Sequence, residues 1–460
     1  MATSESYYPS KHGVEGTWNP PNIVFIIADD IGYGDLGPYG QAHIETPNLD
    51  RMAAEGQRHT NCYTGSPVCA PSRSVLMTGQ HAGHTRVRDN FGMVGGARVV
   101  DNGPVQHRIP LGPDDPCIPE ILTDAGYATG AFGKWGLGEA HTSGAPTRKG
   151  FDEWFGYLNQ RRAHTYYPPY LWDGETKVPI DGNEDEGRAQ HAQDLVMDRA
   201  ADFIHDHADE RFFCFLPTTL PHTPHEAPDE ESAAQYADRT DWTERERDYA
   251  AMVSRLDRDV GTILDLLADL DIDEDTIVFF CSDHGPVGSL ADTRFDCAGG
   301  HRGFKYDLYD GGIRTPMLVR WPGHIEAGSV DDTPWYYADV LPTLAEIAGV
   351  WPDPGHQWVS DADGVSVLPT VLGDDQPLHQ RIMYWEFLDA ESFDGSYGQA
   401  ARRGEWKALR PAVDEPVELY NVVEDPAETI DRATEHPDLV ARFTWYLDQS
   451  HVPVPQYPEW

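Results

Sequence analysis

Two stretches of this chain limit its architecture more than anything else in it. Residues Asn22–Ala28 read N-I-V-F-I-I-A and Thr276–Ser282 read T-I-V-F-F-C-S, and acids follow each at once: Asp29-Asp30 after the first, Asp283 with His284 after the second. Apolar runs this short, rich in β-branched and aromatic residues, suit strands buried on both faces of a sheet. Sheets of that kind are largely parallel and flanked by helices, and their ligands collect beyond the carboxyl ends of the strands. Two acidic strand ends brought together there repel one another unless a cation lies between them. Asp29, Asp30 and Asp283 therefore predict a site for Ca²⁺ or Mg²⁺, while the nitrogen of His284 would also suit Mn²⁺ or Zn²⁺.

The remaining pattern agrees with that sheet. Helices are expected over Pro47–Glu55 (Thr46 as N-cap, Gly56 as stop), 71–78, 118–125, 189–207, 242–267 and 337–348, and further strands over 128–132, Phe212–Pro217 and 317–320. Residues 148–185 lack clear periodicity and are rich in Tyr, Pro and Trp, which predicts a surface excursion near the site. From about residue 371 the texture changes to short strands (381–387, 399–402, Trp406–Arg410, 417–420) and a closing helix, 437–449. The fold class is thus α/β, with a large mixed, mostly parallel sheet sandwiched by helices over 1–370 and a small antiparallel sheet with one helix over 371–460.

Charge narrows the partners. Lys and Arg total 34 against 77 Asp and Glu, a net charge of −43. Nucleic acid and anionic membrane surfaces should repel such a chain. Lysine stands only at positions 11, 134, 149, 177, 305 and 407. Abundant acid with scarce lysine suits a halophilic protein, hydrated at high salt where self-repulsion is screened. No apolar run approaches the roughly 18–20 residues of a membrane span. Met1 to Asn19 is polar, which predicts a cytoplasmic protein as given, or a periplasmic or secreted one whose leader was removed. Six scattered cysteines without a C-x-x-C pair point neither to a disulfide framework nor to a thiolate zinc site.

One of those cysteines carries the chemistry. Residues 66–79 read S-P-V-C-A-P-S-R-S-V-L-M-T-G. Cys69 is expected just before a helix start, where orphan N–H groups and the helix dipole attract an anion, and Arg73 one turn on can reach back toward it. The run Cys69-Ala70-Pro71-Ser72-Arg73 with Leu76, Thr78 and Gly79 resembles the signature of the type I sulfatases, the arylsulfatase-like branch of the alkaline phosphatase superfamily. The resemblance spans about 21–447. It includes G-Y-A-T-G-A-F-G-K-W-G-L-G over 126–138, Pro221-His222-Thr223-Pro224, Ser282-Asp283-His284-Gly285 and Lys305 leading into Tyr309-Asp310-Gly311-Gly312. Asp363-Gly364-Val365-Ser366 and Glu418-Leu419-Tyr420-Asn421 are also family-like.

That resemblance implies a function and roles. Cys69 would be oxidised by a maturation enzyme to formylglycine, whose hydrated aldehyde is the nucleophile toward a sulfate monoester. Asp29, Asp30, Asp283 and His284 would bind the cation together with matured Cys69, although many members carry Asn at position 284. Lys134, His222 and Lys305 would contact the sulfate, His222 or Lys305 would protonate the leaving oxygen, and Asp283 would activate the nucleophile. The chemistry requires such positive surroundings, because charge builds on the leaving oxygen as the S–O bond breaks.

One departure stands out. The family motif reads G-K-W-H-L-G, and here Gly136 takes the place of the histidine held to expel sulfate by deprotonating the nucleophile's remaining hydroxyl. His164, in Q-R-R-A-H-T-Y-Y, or His301, in G-G-H-R-G, could supply that base, with His164 preferred because its segment follows the signature. Tyr166, Tyr167, Tyr170 and Trp172 could form an aromatic wall for a sugar or aryl ring, or pack the excursion onto the core. Arg86 and Arg88 could reach polar groups of the substrate or pair with nearby acids. The expected substrate is a sulfated carbohydrate, with aryl sulfates as surrogates. The rivals are a phosphonate or phosphodiester hydrolase of the same superfamily and a non-catalytic sulfated-glycan-binding protein.

Overall fold

The two apolar runs with acidic ends lie side by side, Asn22–Ala28 pairing in parallel with Thr276–Ser282 along its whole length. The computed structural model describes residues 18–90, 97–100, 103–106, 109–350, 361–388, 397–412 and 414–453; the polar N-terminal residues 1–17 lie outside them. On its other side Asn22–Ala28 pairs in parallel with Phe212–Pro217, which pairs with Ala128–Lys134, which pairs with Glu153–Tyr157. These five strands send their carboxyl ends to one edge. Arg314–Arg320 runs antiparallel beside Thr276–Ser282, and Gln57–Tyr63 antiparallel beside that. Gln57–Tyr63 therefore points the same way as the five, and Arg314–Arg320 begins where they end. Every chain segment expected to carry chemistry leaves or enters the eleven-stranded sheet at this edge.

Burial on both faces holds the sheet. Ile23, Phe25 and Ile27 face a core that includes Val75 and Leu76 of the helix Cys69–Thr78, and Leu341 and Leu344 of Val340–Ile347. Val24 and Ile26 face the other core, with Phe203 of Ala192–Asp206 and Met252, Leu256 and Ile263 of Glu244–Asp269. Each such side chain contributes about 1.5–3 kcal/mol by leaving water. A second sheet of four antiparallel strands, Met383–Leu388, Tyr397–Arg403, Trp406–Arg410 and Glu418–Asn421, packs Tyr384, Ala401, Ala408 and Leu419 against Phe443 and Leu447 of the closing helix Pro437–Ser450.

Several expectations change. Residues 148–185 do not form an excursion: Glu153–Tyr157 continues the parallel ladder, and the hairpin Tyr170–Asp173 with Thr176–Pro179 extends the sheet beyond it. The run W-F-G-Y is simply too short to show a period. The strand Gln57–Tyr63, Q-R-H-T-N-C-Y, has no apolar alternation, and its place between Arg314–Arg320 and Ser329–Asp331 is fixed by ladder bonds. The nucleophile helix begins at Cys69, two residues earlier than expected, because Pro71 sits in the first turn, where a missing N–H costs no hydrogen bond. Thr46 precedes Pro47–Glu55 without capping it, its hydroxyl accepting from Gly37 N–H instead.

Candidate active site

Strand polarity delivers the acids. Asp29 and Asp30 follow Ala28, and Asp283 and His284 follow Ser282, all four essentially without solvent exposure. Asp30 turns through a left-handed φ of 73°, which Asp tolerates better than most residues, and its N–H lies 3.3 Å from Asp283 Oδ1. Cys69, delivered by Gln57–Tyr63 and the helix start, places Sγ 3.8 Å from Asp29 Oδ1 and 3.3 Å from His284 Nε2. His284 Nε2 is also 3.2 Å from Asp30 Oδ1 and 3.4 Å from Asp283 Oδ1. Its Nδ1–H donates to the Gly285 carbonyl at 2.9 Å, which turns the Nε2 lone pair toward the acids as a metal ligand requires.

These residues fit a cation. Ligand atoms of Asp29, Cys69, Asp283 and His284 lie within 4.8 Å of one another. Asp30 Oδ2 is buried and accepts no hydrogen bond from the described residues. A buried carboxylate oxygen without a donor is costly unless a cation satisfies it. Burial disfavours charge on His284, yet Asp283 and Cys69 outweigh it and raise its pKa to about 9, so the pocket favours positive charge here.

A ring of cations surrounds the acids. Arg73 donates to Asp283 Oδ2 from Nε (3.2 Å) and Nη2 (3.0 Å). Lys134, the last residue of its strand, places Nζ 2.5 Å from Asp29 Oδ2. Lys305 Nζ lies 2.7 Å from Asp30 Oδ1 and 3.2 Å from His222 Nε2. Burial would push Asp29 up, but Lys134, His222 and Arg73 hold it well below the usual carboxylate range. Asp30 falls to about 2 against its own burial, through His222, Lys305 and His284. The Cys69 thiol is likewise lowered despite burial, by Lys134 and Lys305. Burial lowers His222, whose Nδ1 donates to the Thr223 carbonyl at 2.7 Å so that Nε2 faces Lys305. Lys134, His222 and Lys305 thus bring three nitrogen groups to the acids beside the buried Cys69.

The family model described as Sulfatase matches residues 21–350. The chain belongs to the sulfatase family. It is a sulfuric ester hydrolase by that membership, and a second model, N-sulphoglucosamine sulphohydrolase, C-terminal, matches residues 299–449. N-acetylgalactosamine-6-sulfatase of Canis lupus familiaris is 35% identical over 385 residues, covering 80% of this chain and 69% of its own. Arylsulfatase A of Homo sapiens is 32% identical over 456 residues, 89% and 82% of the two chains. Among solved structures, that of Ps i-CgsB in complex with k-i-k-neocarrahexaose has a TM-score of 0.80 at 26% identity, covering 96% of this chain and 95% of that one.

In this sulfatase the loop after Glu153–Tyr157 fills the space left at Gly136. Gly136 has φ +88°, and a Cβ there would overlap the Gln160 amide nitrogen. Gln160, which sequence reading did not single out, is buried, and neither atom of its amide has a hydrogen-bond partner among the described residues. Four residues on, the His164 ring stacks on His222 with centroids 4.3 Å apart and planes at 28°. His164 keeps an exposed surface, yet desolvation, then the charges of His222 and Lys134, lower its pKa to about 3. His301 is not brought into the cluster: it lies edge-on to Tyr33, and its Nδ1 is 3.1 Å from the Pro426 carbonyl.

The remaining candidates divide. Arg86 is committed to Asp115 at 2.7 Å, and Arg88 is buried 3.2 Å from Glu386. Tyr166 is buried, its hydroxyl donating to the His222 carbonyl and so fixing the loop that carries that histidine. Tyr167 is half-buried beneath the Arg188 guanidinium, 4.1 Å from its ring centre. Trp172 and Tyr170 meet edge-on, with Lys177 over both rings. All six cysteines are buried and free. No helix among the described residues is long and apolar enough to cross a membrane.

Proposed function

We propose that this sulfatase releases sulfate from a sulfated carbohydrate, with aryl sulfates as surrogate substrates, and that its nucleophile arises from Cys69. The observation that carries the reading is the convergence of Lys134, His222 and Lys305 on the buried Asp29, Asp30 and Cys69. Asp29, Asp30, Asp283, His284 and residue 69 would hold the cation, Ca²⁺ in the first instance and Mg²⁺ or Mn²⁺ as alternatives, which would neutralise charge on the sulfate oxygens. Formylglycine, made from Cys69 by a maturation enzyme, would supply a hydrated aldehyde as nucleophile.

The chain's own side chains divide the remaining work. Arg73 orients Asp283 through its paired hydrogen bonds, and Asp283 is the group assigned to activate the nucleophile. Lys134 and Lys305 bind the sulfate oxygens. His222 or Lys305 passes a proton to the departing alcohol, their nitrogens lying 3.2 Å apart. His164, stacked on His222, is assigned the proton that the missing histidine at position 136 would have taken. Tyr167 is assigned to the sugar beyond the scissile bond; Arg86, paired with Asp115, and His301 have no part in this reading. The names of N-acetylgalactosamine-6-sulfatase and of the k-i-k-neocarrahexaose bound to Ps i-CgsB support a carbohydrate substrate.

The decisive experiment is mass spectrometry of the peptide spanning Cys69, followed by a screen of positional sugar sulfates with aryl sulfate and phosphodiester controls. Conversion of Cys69 with sulfate release from at least one sugar is the expected result. An unmodified cysteine in fully active protein, or a preference for diesters with Mn²⁺, would overturn it.

A further inference from the structure

Lysine is rare in this chain, and Lys407 stands where a lysine is hardest to keep. It lies on Trp406–Arg410 with no solvent exposure, its Nζ 2.8 Å from Asp310 Oδ1 and 2.9 Å from Glu428 Oε1. A buried ammonium between two carboxylates persists only while all three groups are held. Asp310 Oδ2 also accepts from the Tyr63 hydroxyl at 2.8 Å and lies 3.3 Å from Arg314 Nη1. Glu428 Oε2 accepts from the Asp310 backbone N–H at 2.6 Å.

These contacts close around one short loop, residues 302–310, that carries Lys305. On its leading shoulder, Arg302 Nη1 donates to the Glu428 carbonyl (2.8 Å) and the Tyr420 hydroxyl (3.2 Å). On its trailing shoulder, the Tyr309 hydroxyl donates to Glu418 Oε2 at 2.8 Å, just before the bond from Asp310 to Glu428. The middle rests on the other side of the site: Lys305 N–H donates to the Pro286 carbonyl (2.8 Å) and Tyr306 N–H to that of Pro67 (2.9 Å). Tyr306 takes a φ of 81°, a conformation an aromatic residue keeps only under restraint from its neighbours.

We propose that Lys407 and Glu428 are positioning residues: the buried Asp310–Lys407–Glu428 cluster fixes the loop so that Lys305 Nζ meets Asp30 and His222, which makes the C-terminal sheet part of the turnover machinery. The proposal rests on the reading of Lys305 as a group that contacts the sulfate ester. Its physical basis is that an active-site group displaced by about 1 Å loses on the order of 10²-fold in rate, even when the displacing change lies far from the chemistry.

A double-mutant cycle tests it. Lys407→Met and Glu428→Gln are each introduced into the full-length, matured, cation-loaded enzyme and into its Lys305→Ala variant, and kcat/KM is measured with an aryl sulfate. In the otherwise wild-type enzyme each should cost about tenfold or more, and in the Lys305→Ala background less than about twofold, because the group they act through is gone. Equal fold-losses in the two backgrounds overturn the positioning role, since a merely structural contribution is felt in both. Should Lys407→Met fail to fold, Tyr309→Phe, which removes only the hydroxyl held by Glu418, supports the same comparison. A Lys305→Ala enzyme of undiminished rate strikes down the reading of Lys305 and this proposal with it. A slowed Lys305→Ala enzyme with additive partners removes the positioning role alone.

Discussion

The imidazole of His164 stacks on that of His222, centroids 4.3 Å apart, although the two arrive from different strand ends. His164 thereby stands beside one of the two groups proposed to protonate the leaving alcohol. Substituting His164 with Ala should lower steady-state turnover about 10²–10⁴-fold, the usual range for a lost acid–base group. Stopped-flow with a chromogenic aryl sulfate should then show a burst of alcohol near one equivalent of enzyme, with sulfate release lagging behind. Turnover unchanged from wild type would remove His164 from the reaction.

Restoring the family histidine should not restore the family site. A side chain at residue 136 meets Gln160 and must also adopt a left-handed φ. Gly136→His alone is expected to destabilise the fold by about 2–4 kcal/mol, summing overpacking and backbone strain. Adding Gln160→Ala opens the space and should recover part of that loss. Urea unfolding of the single and double variants decides it: a Gly136→His protein as stable as wild type contradicts the close packing of Gln160 on Gly136.

How far the sequence could be read follows from where each group takes its information. Asn22–Ala28 and Thr276–Ser282 were legible because full burial leaves an uninterrupted apolar run, and their acids were legible because a parallel sheet collects strand ends. Gln57–Tyr63 was not, since its ladder partners, not its side chains, define it. Gln160 escaped because its role depends on a neighbouring loop rather than on spacing within its own. Lys407 left a signal that went unused. Of six lysines, Lys134, Lys149, Lys305 and Lys407 are buried, so in a chain that avoids lysine each one kept was worth suspecting.

Cation binding should be visible in stability as well as in rate. Asp29, Asp30 and Asp283 repel one another across a buried site, and Asp30 Oδ2 lacks a donor among the described residues. A bound cation at about a hundred times its Kd adds roughly 2.7 kcal/mol. Chelation should therefore lower the melting temperature and Ca²⁺ restore it, whereas Asp30→Asn should shrink that difference. Calorimetry of the wild type with and without Ca²⁺ is the check, and a melting temperature indifferent to the cation would dismiss the site.

Outside the site, Asp35 predicts a specific dependence of stability on pH. Its Oδ2 accepts from Gly32 N–H at 2.7 Å and from the Tyr249 hydroxyl at 2.6 Å, and burial pushes its pKa from the ordinary 3.8 to about 7 against those bonds. A carboxyl raised in the folded state binds its proton more tightly there than in the unfolded chain. Its contribution is complete below about pH 4 and is lost as pH rises through about 7. A rise from 3.8 to about 7 is worth about 4 kcal/mol at most. Asp35→Asn keeps an oxygen for both donors but cannot ionise. Between about pH 5 and 8 the wild type should lose about 2–3 kcal/mol more than the variant, because every other titrating group is common to both. Urea denaturation of the pair across that window measures the difference, and parallel curves would mean that Asp35 ionises as an ordinary carboxylate does.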